Sequence, residues 1–451
     1  MVKNYLLDTN IILSNPQSIF GFEDNNVYLC GTTLQELDSK KSAPGEVGYN
    51  AREACRILDG LRVKGNLIKG VPLETGGKLI IEPDGVKAEL LPEGFSLSIP
   101  DNRIMSTCLY LNSTKLQKSH IILLTNDISM RVNATILGLK VQGVLNDVVE
   151  DKGYTGHEEI KATDKAIRTI REAGKEGAAS SLIKGSFVEN EYLTLKGRTE
   201  QMLAVYRKGI IREVKPQKLY GDVTPRNRMQ IFAMHALMAP VEEIPLVIME
   251  GPAGTAKTFL TLAAGLSQTN LGNGMVGGQY DKMLISKPNS GSTDPSFGFL
   301  PGSLEDKMAP MLANYYDNLE SLMRGQGGRY ESHESVQMMV EDLFESGVIE
   351  LCPLYAIRGR TLFKSFLILD EAQNASKGLI RDVITRAGEG SKVVVMGDPK
   401  QIDVPTLSKY TNGLQYCKQT MFSSDLTAVI QYTEEDCVRS PLSETAIRQM
   451  K

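Results

Sequence analysis

Leu246-Val-Ile-Met-Glu-Gly251-Pro252-Ala253-Gly254-Thr255-Ala256-Lys257-Thr258-Phe-Leu decides how the C-terminal half is read. An apolar run ends in a loop of small residues, and a helical pattern follows through Leu266. A strand feeding such a loop and then a helix turns several backbone N–H groups toward one point. The helix N-terminus adds partial positive charge there, which suits a phosphate. Lys257 can reach β- and γ-phosphates, and the Thr258 hydroxyl can ligate Mg²⁺. One position departs from the usual pattern, because Ala256 stands where a glycine ordinarily precedes the lysine. Alanine fits there if its φ is negative, as in a helix.

The partners of such a loop follow in order. Lys282-Met-Leu-Ile-Ser, Phe366-Leu-Ile-Leu and Lys392-Val-Val-Val-Met are near-continuous apolar runs. Such runs predict a parallel sheet covered on both faces. The second ends in Asp370-Glu371, where one carboxylate can hold the Mg²⁺ shell and the other can polarise an attacking water. The third ends in Gly397-Asp398-Pro-Lys-Gln401, which puts Gln401 in position to sense a γ-phosphate. Ligands of open α/β sheets bind at these carboxyl ends. ATP with Mg²⁺ is the expected ligand.

The first 150 residues repeat the α/β rhythm on a smaller scale. Asn4–Leu7, Asn26–Cys30, Ile121–Leu124 and Leu139–Val144 read as strands, and Ala51–Leu61 as a helix. The glycine-strewn stretch 62–100 reads as a loop or hairpin insertion. Asp8, Glu36 and Asp127 follow apolar runs, and Asp101 opens a helical pattern. Taken singly, each reads more readily as a helix cap. Gathered at one sheet edge, the four would repel one another until a divalent cation neutralised them. Oxygen-only ligands suit Mg²⁺ or Mn²⁺, and such ions activate water for attack on a phosphodiester.

Between these halves, 151–181 is polar and reads as a domain boundary or tether. Residues 182–215 read as a small antiparallel β-module, so the expected domains are 1–150, 151–215 and 216–451. Net charge is −4, which mildly discourages nucleic-acid binding, but 161–218 holds 13 Lys and Arg against 7 Asp and Glu. That excess fits a solvated surface or phosphate contacts equally well. No run of eighteen apolar residues appears, and Asp8 and Asn10 interrupt the N-terminal apolar stretch, so neither a membrane span nor a signal peptide is expected. Six cysteines, far apart and without a Cys-x-x-Cys pair, fit a reducing cytoplasm.

The loop, Asp370-Glu371-Ala-Gln373 and Gly397-Asp-Pro-Lys-Gln401 resemble the motifs of superfamily 1 helicase-type ATPases. Gly298-Phe-Leu-Pro-Gly302 with Glu305 and Lys307, Ile357-Arg358-Gly-Arg360-Thr-Leu362, and Val438-Arg439-Ser-Pro-Leu442 resemble the PhoH family more specifically. Asp8-Thr-Asn10, Glu36-Leu, Asp101-x-x-Ile104 and Thr125-x-Asp127 resemble the PIN-domain ribonucleases, and Gly48-Tyr-Asn50-Ala-Arg52 the PIN domains fused to PhoH ATPases. The common strand ending before the second acid is altered here to Cys30-Gly31, and Asp38 stands as a substitute or auxiliary to Glu36.

The resemblance implies an α/β chain with three parts. These are a PIN-like three-layer domain with a parallel sheet, a small β-rich linker module and a RecA-like P-loop NTPase domain. It implies that Gln230 reads adenine, that Arg439 acts as an arginine finger and that Arg358 or Arg360 contacts phosphate or nucleic acid. It further implies an RNA helicase or translocase coupled to a metal-dependent endoribonuclease. Only one nucleotide-binding sheet fits in 216–451, so a homo-oligomeric ring is expected, with a hexamer as one closed form. Two other readings stay open: an ATPase whose N-terminal domain binds RNA without cutting it, and a nucleotide-dependent switch.

Overall fold

The computed structural model describes residues 2–43, 45–116, 120–143, 153–270, 278–288, 304–324, 332–352, 354–357, 359–404, 407–408 and 411–438. Two compact units hold three sheets, the first unit carrying one and the second carrying two.

The N-terminal unit is built on β1 (Asn4–Leu7), β2 (Asn26–Cys30), β3 (Val71–Pro72), β4 (Lys78–Glu82), β5 (Ile121–Leu124) and β6 (Lys140–Gln142). They run in the order β3-β4-β2-β1-β5-β6, parallel except for the β3–β4 hairpin. The stretch read as an insertion is thus partly a hairpin, and β4 joins the sheet parallel to β2. Alternation along each strand sends side chains to two cores. Tyr5, Leu7, Val27, Leu29 and Leu79 face one, and Leu6, Tyr28, Cys30 and Leu123 face the other. Helices cover both faces, which makes three layers.

The middle stretch is not a tether. β7 (His157–Lys161), the helix Asp164–Glu172 and β8 (Ala178–Ala179) lie in the segment read as polar linker. They join β9 (Tyr192–Lys196), β10 (Gln201–Arg207) and β11 (Ile210–Glu213) in the order β7-β9-β10-β11-β8. The sheet is mixed rather than antiparallel, because β7 pairs parallel to β9. Only Ile160, Ala166, Ile167 and Ile170 of this segment turn inward among its elements, which is why its pattern looked polar. The module is pinned to the C-terminal sheet. Arg207 Nη1 donates to Glu243 O and Asp425 O, both at 2.9 Å, and Asn190 Nδ2 donates to Asp425 O and Thr427 O, both at 3.0 Å.

Five of the thirteen basic side chains of 161–218 are ion-paired within the unit. Arg168 and Arg171 pair with Glu200 at 2.5 Å, Lys215 with Glu213 at 3.3 Å and Lys218 with Asp222 at 2.8 Å, while Lys196 bonds Glu159. A solvated, ion-paired surface is what these residues form.

The third sheet contains β12 (Leu246–Glu250), β13 (Lys282–Ser286), β14 (Ile349–Leu351), β15 (Ser365–Leu369), β16 (Lys392–Gly397) and β17 (Thr427–Gln431). All are parallel, in the order β14-β13-β15-β16-β12-β17. Val247, Met249, Ile368, Val394 and Met396 face one core, and Ile248, Leu367, Leu369, Val393 and Val395 face the other. The short edge strands β14 and β17 were not anticipated. Among the described residues, no helix is long and apolar enough to cross a membrane.

One buried cation terminates a helix of this unit. Lys392 opens β16 with no exposed surface, and its Nζ donates to Ala236 O at 3.2 Å, Leu237 O at 3.0 Å and Ala239 O at 2.7 Å. It caps the carbonyl end of the helix Arg228–Met238, where negative partial charge collects. Burial pushes its pKa down to about 7. Lys392→Met fills the same space but leaves those carbonyls without their donor. Urea unfolding should show a loss of about 2 kcal/mol near pH 10, shrinking as pH falls toward 7, where the buried ammonium already weakens the wild-type fold.

Candidate functional site

The sheet order explains the C-terminal site. β16 lies between β12, which feeds the loop, and β15, which feeds Asp370-Glu371. The parallel register sets Glu250 level with Gly397, so loop and carboxylates share one edge. Gly251 N–H donates to Gly397 O at 3.1 Å and ties the start of the loop to the end of β16.

Lys257 opens the helix Lys257–Gln268 and folds back under the loop. Its Nζ donates to Gly251 O at 2.6 Å and Pro252 O at 2.9 Å, and it lies 3.4 Å from Thr255 Oγ1. Burial lowers its pKa, against the opposing pull of Asp370, Asp398 and Glu371. The expectation for Ala256 is overturned: its φ is +66°, in the left-handed region. An L-residue with a Cβ is strained there. Glu371 is left-handed too, with φ +53°. Backbone strain of this kind gathers at functional sites held by their surroundings.

Thr258 Oγ1 donates to Asp370 Oδ2 at 3.1 Å, and the Glu371 N–H donates to Asp370 Oδ1 at 2.9 Å. Asp370 is buried, and burial followed by the charge of Glu371 raises its pKa. A hydroxyl and a strained-to-ionise carboxylate, both oxygen donors at one strand edge, fit Mg²⁺. Ala253, Gly254, Lys257, Thr258, Asp370, Glu371 and Gln401 border one cleft of about 370 Å³.

Gln373 is the residue that motif reading left without a role. Its Nε2 donates to Glu371 Oε2 at 2.6 Å and to Gln401 O at 2.9 Å, and its Oε1 accepts from Asp398 N at 3.1 Å. A Cβ on Gly397 would lie 2.0 Å from that Oε1, so glycine is required there. Asn314 and Asn318 also line the cleft, from the helix Leu304–Arg324, and nothing in their sequence spacing signals it. Gln230 is buried beside the loop, accepting from Arg226 N at 2.9 Å and reaching Thr255 O at 3.5 Å. Arg360 meets Glu350 at 3.3 Å, on the edge strand β14. Arg358, Arg439 and the Gly298–Gly302 motif lie outside the described residues.

In the N-terminal unit, β1 lies between β2 and β5, so Asp8 and Asp127 follow adjacent strands. Glu36 sits in the helix Gly31–Lys40 rather than directly after β2, because that helix starts at once beyond Cys30. Thr9 Oγ1 donates to Glu36 Oε2 at 2.5 Å. Thr125 joins two of the acids: its Oγ1 donates to Asp8 Oδ2 at 2.7 Å and accepts from Asp127 N at 3.1 Å. Asp127 also caps the helix Ile128–Ile136 through Met130 N. The pKa of Asp8 is raised to about 6, chiefly by burial, with Asp101 and Glu36 adding to it against the Thr125 bond. Asp101 is raised by burial, then by Asp127 and Glu36. The four acids therefore act on one another, and their oxygen-only chemistry fits a divalent cation. Among the described residues, however, no three His, Cys, Asp or Glu side chains already form a cation cage.

Asp38 is not part of this group. It pairs with Lys41 at 2.7 Å on the surface. Asn50 is structural, its Nδ2 donating to Leu13 O at 2.7 Å, and Arg52 Nη1 donates to Lys41 O at 2.6 Å.

A lysine-bearing phosphate loop closing on a strand-end Asp-Glu pair defines a P-loop ATPase domain, and the acid-edged three-layer sheet defines a PIN domain. The family model for PhoH-like protein matches residues 222–451, and that for the PIN domain matches 5–145. Protein PhoH2 of Bacillus subtilis (strain 168) is 34% identical over 459 positions, covering 99% of both chains. Protein PhoH2 of Thermobispora bispora is 30% identical, over 98% of this chain and 95% of its own. Protein PhoH2 of Mycolicibacterium smegmatis is 29% identical, over 89% and 87%. The chain belongs to the PhoH-like family, in the form that carries an N-terminal PIN domain.

Two outcomes follow from the geometry. Ala256→Gly removes the left-handed penalty, and urea unfolding of the ATPase unit should show a gain of about 1 kcal/mol. Asp8→Asn removes a carboxylate that the fold holds above its ordinary 3.8. Its ionised form weakens the fold above pH 6, and the penalty fades as pH falls toward 4. In EDTA at pH 7 the variant should be more stable by about 2 kcal/mol in thermal melts, with the difference vanishing near pH 4.

Proposed function

We propose that the chain is an ATP-driven RNA helicase or translocase joined to an endoribonuclease that uses Mg²⁺ or Mn²⁺. One observation carries the reading: a single chain has both the Lys257/Thr258/Asp370/Glu371 cleft and, on a separate sheet, Asp8 and Asp101 raised by burial and by the neighbouring acids.

In the ATPase, the loop N–H groups and Lys257 would hold the β- and γ-phosphates. Thr258 and Asp370 would hold Mg²⁺, which when bound offsets phosphate charge. Glu371 would take a proton from the attacking water, its carboxylate aimed by Gln373. Gln401, whose carbonyl is tied to the same amide, would register the γ-phosphate. Gln230 would contact adenine from its place beside Thr255. Arg439 would supply charge to the transition state. Val438, the residue before it, reaches the loop by donating to Gly254 O at 3.0 Å. One nucleotide-binding sheet per chain leaves the outer side of the cleft to another copy, which supports a homo-oligomeric ring.

In the nuclease, Asp8, Glu36, Asp101 and Asp127 would hold the cation, which when bound favours hydroxide over water. Thr125 would keep Asp8 and Asp127 in register. RNA is the proposed substrate of both sites and the cytoplasm the proposed compartment, where free cysteines such as Cys55 persist.

Labelled RNA with Mn²⁺ or Mg²⁺ should be cut by wild type and left intact by Asp8→Asn. Equal cutting by both, or by neither, removes the nuclease. Lys257→Ala should lower ATP turnover by at least about 100-fold, and unchanged turnover removes the motor. RNA should stimulate wild-type hydrolysis; no stimulation points to a nucleotide switch. A fully active monomer in sedimentation removes the ring.

A further inference from the structure

Asp370 carries a third donor that belongs to no loop or strand-end motif. Tyr315, in the helix Leu304–Arg324, donates its hydroxyl to Asp370 Oδ2 at 3.0 Å. The ring is only 3% exposed and packs in the apolar core with Leu319, Leu322 and Met323. Phenylalanine would fill that core equally well. The hydroxyl is therefore a polar group carried into an apolar place, where it meets a buried carboxylate. Buried polar groups are retained where they are bonded, and a bond to a charged acceptor is among the strong ones.

The donors divide between the two carboxylate oxygens. Among the described residues, Oδ2 receives both Thr258 Oγ1 and the Tyr315 hydroxyl, and Oδ1 receives the Glu371 N–H. Two hydroxyls on one oxygen, from different helices, fix the rotation of the carboxylate about its Cβ–Cγ bond. Without Tyr315, Thr258 alone would hold Oδ2, and Thr258 is itself a candidate Mg²⁺ ligand.

The helix that brings Tyr315 is firmly placed. The next residue, Tyr316, stacks on Phe344 with centroids 5.1 Å apart. Tyr220 donates its hydroxyl to Met323 Sδ at 3.3 Å, two turns further on. Asn314 and Asn318 of the same helix line the nucleotide cleft. A helix that walls the cleft thus also orients the carboxylate within it.

We propose that Tyr315 is a positioning residue for the Mg²⁺ of the ATPase site, acting by orienting Asp370 through its buried hydroxyl. This rests on the ATPase reading above. Outer-shell partners of metal ligands are worth roughly 10- to 100-fold in metal affinity or activity.

The test compares wild type with Tyr315→Phe in the full-length protein. Mn²⁺ affinity is measured by electron paramagnetic resonance on the ADP complex, ADP affinity without metal by calorimetry, and folding by thermal melts. Mn²⁺ should bind about tenfold more weakly to the variant, with metal-free ADP affinity and unfolding midpoint unchanged. The Mg²⁺ concentration for half-maximal ATP turnover should rise by a similar factor. Equal Mn²⁺ affinity in the two proteins overturns the proposal, whether or not the variant melts earlier. Wild type that binds ADP but shows no turnover, with the Mn²⁺ difference intact, would remove the hydrolysis reading and leave Tyr315 a metal-positioning residue. Wild type that binds no ADP would remove both.

Discussion

The amide of Gln373 sets the geometry on which the C-terminal site depends. Its oxygen can only accept and its nitrogen can only donate. The oxygen faces a backbone N–H at Asp398, and the nitrogen faces a carboxylate oxygen at Glu371 and a carbonyl at Gln401. A flip of the amide would break all three, so the group has one orientation. It is fully buried, where an unpaired amide is costly. Glu371 is thereby fixed to the ends of both β15 and β16, and Gly397 is glycine because that amide lies against its Cα. The left-handed Glu371 is tolerable in this setting, since the bonds it gains offset a backbone cost of about 1 kcal/mol.

The middle module shows the same economy at the level of charge. Five of its Lys and Arg side chains are paired with Glu159, Glu200, Glu213 and Asp222. Exposed pairs of this kind contribute little to stability. Arg207 is different: it is drawn to the carbonyls of Glu243 and Asp425 next to the ATPase sheet. A module held by these hydrogen bonds and those of Asn190 behaves as an extension of the C-terminal sheet, not as a tethered arm.

Strands were legible where burial on both faces made them continuously apolar, as at Leu246–Glu250 and Lys392–Gly397. They were illegible where a strand is short, as at Ile349–Leu351, or sits at a polar sheet edge, as at His157–Lys161. The loop, Asp370-Glu371 and the four N-terminal acids could be named because their chemistry is written in residue type. Gln373, Thr125 and Tyr315 could not be assigned roles, since each depends on which atom faces which. Ala256 shows the same limit from the other side. A sequence states the residue but not its φ, and here the φ is the unfavourable one.

The two acidic sites deal with one electrostatic problem in different ways. A carboxylate taken out of water is driven to protonate unless hydrogen bonds or a cation favour its charge. Asp370 has three donors among the described residues, two of them hydroxyls, together with Lys257 close by, although burial and the charge of Glu371 still raise its pKa. Asp8 has the Thr125 hydroxyl as a side-chain donor, with Asp101 and Glu36 working against it. Asp370 is thus held by hydrogen bonds of the protein itself, and a bound metal would add to that network. The N-terminal carboxylates are organised against themselves, and their mutual repulsion is relieved only by a positive charge from outside. Binding a divalent cation there would stabilise the fold as well as the site.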